Sequence, residues 1–179
     1  MCDEQLDNKA SIKTMPSRQA PFVANDLVVK PEWIDFNGHL NMAFYMVLFD
    51  EASDAAFSSM GMPPTYKSKR SMTLYTAEAH IRYVREVHLT DPLTCTLQLI
   101  AHDAKRLHTW QELRHAVDGW LAATCEMMTL HVDATGPRVA PMPEDVAVQV
   151  REMQDAHDSL PVPDKLNGSI RIPGAKIPC

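Results

Sequence analysis

From Met42 to Met60 the chain runs without a glycine or proline, and Tyr45, Leu48, Phe49, Ala52, Ala55 and Ala56 recur at spacings of three and four. Such spacing stacks these side chains on one face of an α-helix. Asn41 can cap its start, because its side-chain oxygen accepts from a free N–H of the first turn. Gly61, followed by Pro63 and Pro64, stops it. After Ser71 the period changes to two. Tyr75, Ala77, Ala79, Ile81 and Tyr83 alternate with Thr76, Glu78, His80 and Arg82, and Leu93, Cys95, Leu97 and Leu99 alternate with Thr94, Thr96 and Gln98. Each run reads as a strand with one buried face. A long apolar helix beside antiparallel strands has to bury itself against their sheet. The expected class is therefore α+β, with a curved antiparallel sheet wrapped around a long central helix, as in the hot-dog architecture.

The remaining elements fit this frame. Phe22 to Lys30 is apolar and β-branched, a first strand, and Pro31 to Asn41 is a loop. Leu107 to Val117 and Trp120 to Val132 are two more strands, joined at Asp118-Gly119, a pair that suits a tight turn. The second of them is apolar on both faces, as a central strand would be. The four strands after the helix are expected to follow one another as a meander. Glu144 to His157 carries Val146, Val150 and Met153 at helical spacing. The chain divides into a polar, flexible N-terminal tail (1–20), one domain (21–145), and a C-terminal helix with a Pro- and Gly-rich surface tail (146–179).

The 179 residues carry a net charge of −6, which excludes broad, non-specific nucleic-acid binding. No apolar run reaches the length of a membrane span, and the N-terminal segment lacks the apolar core of a secretory leader, so a cytoplasmic location with no membrane partner is expected. The four cysteines, Cys2, Cys95, Cys125 and Cys179, form no metal-binding pair, and Cys95 and Cys125 read as small buried hydrophobes. No metal and no cofactor is expected.

The segment Asp35-Phe-Asn-Gly-His-Leu-Asn-Met-Ala-Phe-Tyr45 resembles the motif of the 4-hydroxybenzoyl-CoA thioesterase-like hot-dog enzymes. In that group an Asp lies three residues before a Gly, and a Tyr ten residues after the Asp sits at the start of the central helix. Further segments, Tyr75-Thr-Ala-Glu-Ala-His-Ile-Arg-Tyr83, Asp103-Ala-Lys-Arg-Leu-His108 and Leu130-His-Val-Asp133, are similar to the carnitine-breakdown thioesterases that act on betainyl-CoA. The resemblance spans about residues 22 to 145. It implies an acyl-CoA thioester hydrolase whose only small-molecule partner is its substrate.

Thioester hydrolysis needs an activated attack on the carbonyl and stabilisation of the developing oxyanion. A carboxylate placed just before a helix can do the first. The helix start supplies the second, because its first N–H groups lack acceptors and its dipole favours negative charge. Asp35 is the candidate general base or nucleophile, with Gly38 giving close backbone approach and the N–H groups near His39 to Asn41 as oxyanion-hole candidates. His39 can orient a ligand or move a proton, or simply be a satisfied loop residue; Asn41 can hold water or only cap the helix. Glu51 reads better as a member of a helix-face ion pair, and Glu78 as a solvated carboxylate.

Substrate-facing candidates are Trp33, Asn37, Tyr45, Tyr75 and Trp110, and the aromatic ones among them, with Tyr83, are able to surround a quaternary ammonium. For the CoA phosphates, Lys105, Arg106 and His108 form one basic cluster, favoured by the resemblance, and Lys67, Lys69 and Arg70 form another. Two other functions compete: a hot-dog enoyl-thioester hydratase using Asp35 with His39, and a non-catalytic acyl-CoA-binding module. A sheet with open edges wants cover, so a homodimer or a dimer-based tetramer is expected.

Overall fold

A computed structural model describes residues 19–166 and 170–174. Strand β1 (Phe22–Leu27) leads through a short 3-10 turn (Pro31–Trp33) to helix α1 (Met42–Ser59). A five-residue helix α2 (Tyr66–Arg70) precedes β2 (Met72–Tyr83), β3 (Leu93–His102), β4 (Arg106–His115) and β5 (Leu121–Asp133). A two-residue β6 (Arg138–Val139) and helix α3 (Glu144–His157) follow. Among the described residues the strands form one antiparallel sheet in the order β1-β3-β4-β5-β2, with β6 beside β5.

The long helix fits the sequence reading closely. Asn41 caps it, its Oδ1 accepting from the Ala43 N–H at 3.0 Å, and Gly61 takes φ +86 beyond its end. Tyr45, Leu48, Phe49, Ala52 and Ala56 are buried as expected, but Ala55 is exposed and Phe57 takes its place in the core. The helix packs on the inner face of the sheet against Leu93, Cys95, Leu113, Ala123, Cys125 and Met127. A polar thread fixes its seat: Gln111 of β4 donates to Ser53 Oγ of the helix at 3.1 Å, and Ser53 donates to the Phe49 carbonyl at 2.9 Å. An unpaired hydroxyl or amide buried there would cost roughly 1–3 kcal/mol.

Two sequence expectations need correction. The strands after the helix are not a simple meander: β3, β4 and β5 are, but β2 lies at the far edge beside β5. The strict alternation along β2 also fails. Ala77 is an extra residue at a bulge between Thr76 and Glu78, and the facing phase flips there. Met72 and Leu74 pack inward on one side of the bulge and Ala79 and Ile81 on the other, while Tyr75 is left exposed.

The C-terminal segment is also not merely a surface tail. Ile170 and Ile172 are buried with Ala101 and Met128, and Leu130 packs against them, on the outer face of the sheet. Helix α3 covers the edge of β3 through His157, which is 0% exposed. Its Nδ1 accepts from the Leu99 N–H at 2.9 Å, at the bulge between Leu99 and Ala101. Its Nε2 faces the Gln19 carbonyl at 3.0 Å. Together these contacts define the tautomer, with the proton on Nε2. No described helix is long and apolar enough to cross a membrane. The expected tail at 1–20 falls mostly outside the described residues.

Candidate active site

The loop before α1 is tied down at both ends. Ile34 bridges to Leu40, Asp35 N–H donates to the His39 carbonyl at 2.9 Å, and Gly38 N–H donates back to the Asp35 carbonyl at 3.0 Å. Gly38 has φ +83, a value that L side chains rarely adopt. No atom lies within 4 Å of where its Cβ would stand, so backbone conformation is what requires glycine here. The tight turn folds the Asp35 side chain back over its own loop, where Oδ1 accepts from the Asn37 N–H at 2.8 Å. The other oxygen, Oδ2, takes no hydrogen bond from the described residues.

A pocket of about 310 Å³ opens on this carboxylate. Asp35, His39 and Met42 line one side, and Tyr45, Tyr83 and Glu86 line the rest with their neighbours. The two tyrosine rings meet edge to face, centroids 5.2 Å apart and planes at 81°. Tyr45 Oη donates to the Arg85 carbonyl at 3.4 Å. Burial pushes the Tyr45 phenol up; Val87's backbone opposes this, while Tyr83, Glu86 and Asp35 add to it. His39 Nδ1 lies 3.8 Å from Glu86 Oε2, and its ring meets that of His88 edge to face. Ligand atoms of His39, Glu86 and His88 all lie within 4.8 Å of one another, so this trio could receive a divalent ion.

The oxyanion candidates shift. Leu40 N–H is committed to the Val87 carbonyl at 2.7 Å, and Asn41 N–H to the Trp33 carbonyl at 2.9 Å. Met42, the first helical residue, has an N–H with no intrahelical acceptor, and it lines the pocket. The Met42 N–H is therefore a candidate donor at the helix start in place of those of Leu40 and Asn41, beside the N–H of His39.

Of the sequence-derived site residues, the pocket unites Asp35, His39 and Tyr45. Asn41 serves as the helix cap. Trp33 is buried and stacked on Phe44 at 5.2 Å, with Lys30 Nζ 4.8 Å from its ring centroid. Asn37 is exposed and reaches Asp35 through its backbone only. Tyr75 is exposed on β2, and Trp110 lies in a groove on the outer face, where its Nε1 donates to Glu112 at 3.3 Å. Glu86 and Met42 were missed; the segment after Tyr83 carries no periodic signal, so nothing local marks Glu86.

The basic cluster also divides. His108 is 0% exposed and pairs with buried Glu126, Nε2 to Oε1 3.0 Å, while its Nδ1 has no partner among the described residues. It is a core histidine and does not share a surface with Lys105. Arg106 is held by Asp103 through bonds of 2.8 and 2.6 Å. Lys105 is exposed at the turn. That turn sits at the end of the sheet where Met72 faces Asp133, whereas Asp35 sits at the end where Tyr83 faces Ala123. A ten-residue strand separates them by ~30 Å within one chain.

A sheet wrapped on one long helix defines the hot-dog class, and a carboxylate beside a helix start suits thioester hydrolysis. Residues 29–150 match the family model described as the thioesterase-like superfamily, to which the chain belongs. It is an acyl-CoA thioester hydrolase. The betainyl-CoA thioesterase of Pseudomonas aeruginosa is 37% identical over 81% of this chain and 91% of its own length. A Rhizobium meliloti L-carnitine dehydrogenase/betainyl-CoA thioesterase is 36% identical over 78% of this chain, which spans 28% of that longer protein. A Staphylococcus aureus protein solved in complex with CoA superposes with a TM-score of 0.76 at 29% identity, over 88% of this chain and 100% of that one.

Proposed function

We propose that this enzyme hydrolyses betainyl-CoA to betaine and CoA, with Asp35 as the catalytic carboxylate. The observation that carries this is one small pocket lined by both Asp35, whose Oδ2 takes no hydrogen bond from the described residues, and Met42, whose N–H has no intrahelical acceptor. The substrate follows from the relatives of P. aeruginosa and R. meliloti. In the mechanism, Asp35 takes a proton from water as the oxygen attacks the thioester carbonyl, or attacks that carbon itself. The carbonyl oxygen gains charge beside the Met42 N–H and the positive helix end. The C–S bond then breaks and the CoA sulfur leaves, taking up a proton; on the nucleophilic route water next opens the acyl–Asp35 anhydride, which frees betaine and restores the carboxylate. None of these steps is routed through a metal or cofactor. His39 assists by orienting water.

The active unit is a homodimer built through β2. Among the described residues that strand pairs only with β5, which leaves one side of a twelve-residue edge open. Antiparallel union of two such edges sets the Met72 end of one copy beside the Tyr83 end of the other. Lys105 and Arg106, with Lys67 and Lys69 on α2, then approach the partner's pocket and can meet the CoA phosphates. CoA esters are internal metabolites, which supports a cytoplasmic location.

The test is thiol release from betainyl-CoA by the purified protein and by Asp35→Asn and Asp35→Ala. Turnover in the parent chain and loss of at least about a hundredfold in both variants is expected. Full activity in Asp35→Asn would refute the mechanism.

A further inference from the structure

The pocket beside Asp35 carries charge and aromatic surface beyond what hydrolysis requires. Resting on the reading of Asp35 given above, we propose that Glu86, Tyr83 and Tyr45 form a cation-reading subsite that selects acyl groups bearing a quaternary ammonium one carbon from the thioester carbonyl.

Geometry supports this first. Tyr45 and Tyr83 stand at 81° to each other with centroids 5.2 Å apart, so the two rings form a corner on the same pocket as Asp35. Tyr83 is held there by its hydroxyl, which donates to the Met42 carbonyl at 3.2 Å. A quaternary ammonium has no N–H to donate, so ring surface and negative charge are the groups that can attract it. Glu86 provides that charge. Its side chain is 60% exposed, and among the described residues its one ion-pair neighbour is His39, charged only when protonated, at 3.8 Å.

The local balance of charge points the same way. Arg85 is the only arginine or lysine among the lining residues, and its guanidinium is drawn off: the Cζ atom sits 4.4 Å from the Trp120 ring centroid. Trp120 in turn stacks on His115 at 4.9 Å and is not part of the lining. Two carboxylates, Asp35 and Glu86, therefore line the cavity with no arginine or lysine directed between them. Tyr45 registers the same field, since both carboxylates oppose ionisation of its phenol after the larger effect of burial. A dicarboxylic acyl group would be repelled, and a neutral one would forgo the attraction. The cavity, about 310 Å³, is at the lower end for ligand pockets and suits a short acyl group.

The experiment compares betainyl-CoA with its neutral isostere, 3,3-dimethylbutanoyl-CoA, which replaces the nitrogen by carbon and keeps the shape. Betainyl-CoA is intrinsically more reactive, so the quantity read is the change in the ratio of the two kcat/KM values between parent and variant, in which that reactivity cancels. Glu86→Gln and Tyr83→Leu should each lower the ratio about tenfold. Tyr83→Phe, which keeps the ring, should hold it within about twofold. Ratios unmoved in Glu86→Gln and Tyr83→Leu, with both esters hydrolysed in an Asp35-dependent way, would overturn the cation subsite alone. Hydrolysis of neither ester, or full activity in Asp35→Asn, would overturn the subsite together with the function it rests on.

Discussion

Tyr83, the last residue of β2, donates its phenolic hydrogen to the main-chain carbonyl of Met42, the first residue of α1, at 3.2 Å. This bond joins the sheet edge to the helix start at the point where the Asp35 pocket opens. Anything that moves β2 is thereby felt at the helix end proposed to stabilise the oxyanion.

A single turnover in ¹⁸O-water separates the two roles of Asp35. With enzyme in excess, a general base gives betaine carrying one heavy oxygen. A nucleophile whose anhydride is opened by water at the Asp35 carbon gives first-turnover betaine without label, and the heavy oxygen appears in the Asp35 peptide by mass spectrometry.

Breaking β2 should cost assembly and catalysis together. Ala77 sits at the bulge in the middle of the open edge. Ala77→Pro is expected to shift the light-scattering mass from about twice the 20.1 kDa chain to the monomer value, with turnover falling at least tenfold. A parent protein that is monomeric at micromolar concentration would contradict the shared site.

The fold should lose stability on mild acidification. His108, His131 and His157 are each at most 1% exposed. Burial holds the pKa of each below the ordinary histidine range; for His108 the neighbouring Glu126 only partly opposes this. A depressed histidine pKa means that the unfolded chain takes the proton first, so stability is full above about pH 6.5 and falls as pH drops below it. Each histidine contributes at most about 1.4 kcal/mol per pH unit in that window. Tm measured between about pH 7.5 and 5.5 at fixed ionic strength should decline; a flat profile would show that these histidines are not sealed.

Cys95 and Cys125 should resist alkylation in the native protein. Burial pushes the Cys125 thiol up to about 12 and also raises Cys95, with Cys125 and Glu112 adding there. Peptide mapping after iodoacetamide should find neither modified until denaturant is added.

Replacing the helix cap gives a stability readout distinct from catalysis. Asn41→Ala removes the acceptor for the Ala43 N–H and should cost about 1 kcal/mol, read as a lower denaturation midpoint. A cost near zero would mean that water satisfies that N–H equally well.

Local patterns made some of this legible. The helix bounds, the Asn41 cap, the Gly61 stop and α3 follow from spacing and capping chemistry within a few residues of each other. Asp35 and Tyr45 could be paired because loop and helix adjoin in the chain. What stayed hidden depends on contacts between distant segments. Ala77 looks like any alternating strand residue until its partner strand is known, so the reversal of Tyr75 was not readable. His108 looked basic and exposed beside Lys105, yet its strand puts it against Glu126, eighteen positions away. Glu86 joins the pocket only because Leu40 N–H bonds to the Val87 carbonyl across two loops.

The back of the sheet has a practical consequence for anyone trimming the gene. Ile170 and Ile172 close over Ala101, Met128 and Leu130, well past residue 150, where the family match stops. A clone cut at that boundary would leave those three side chains greasy and bare, and the shortened product should clump on concentration even with its catalytic end intact.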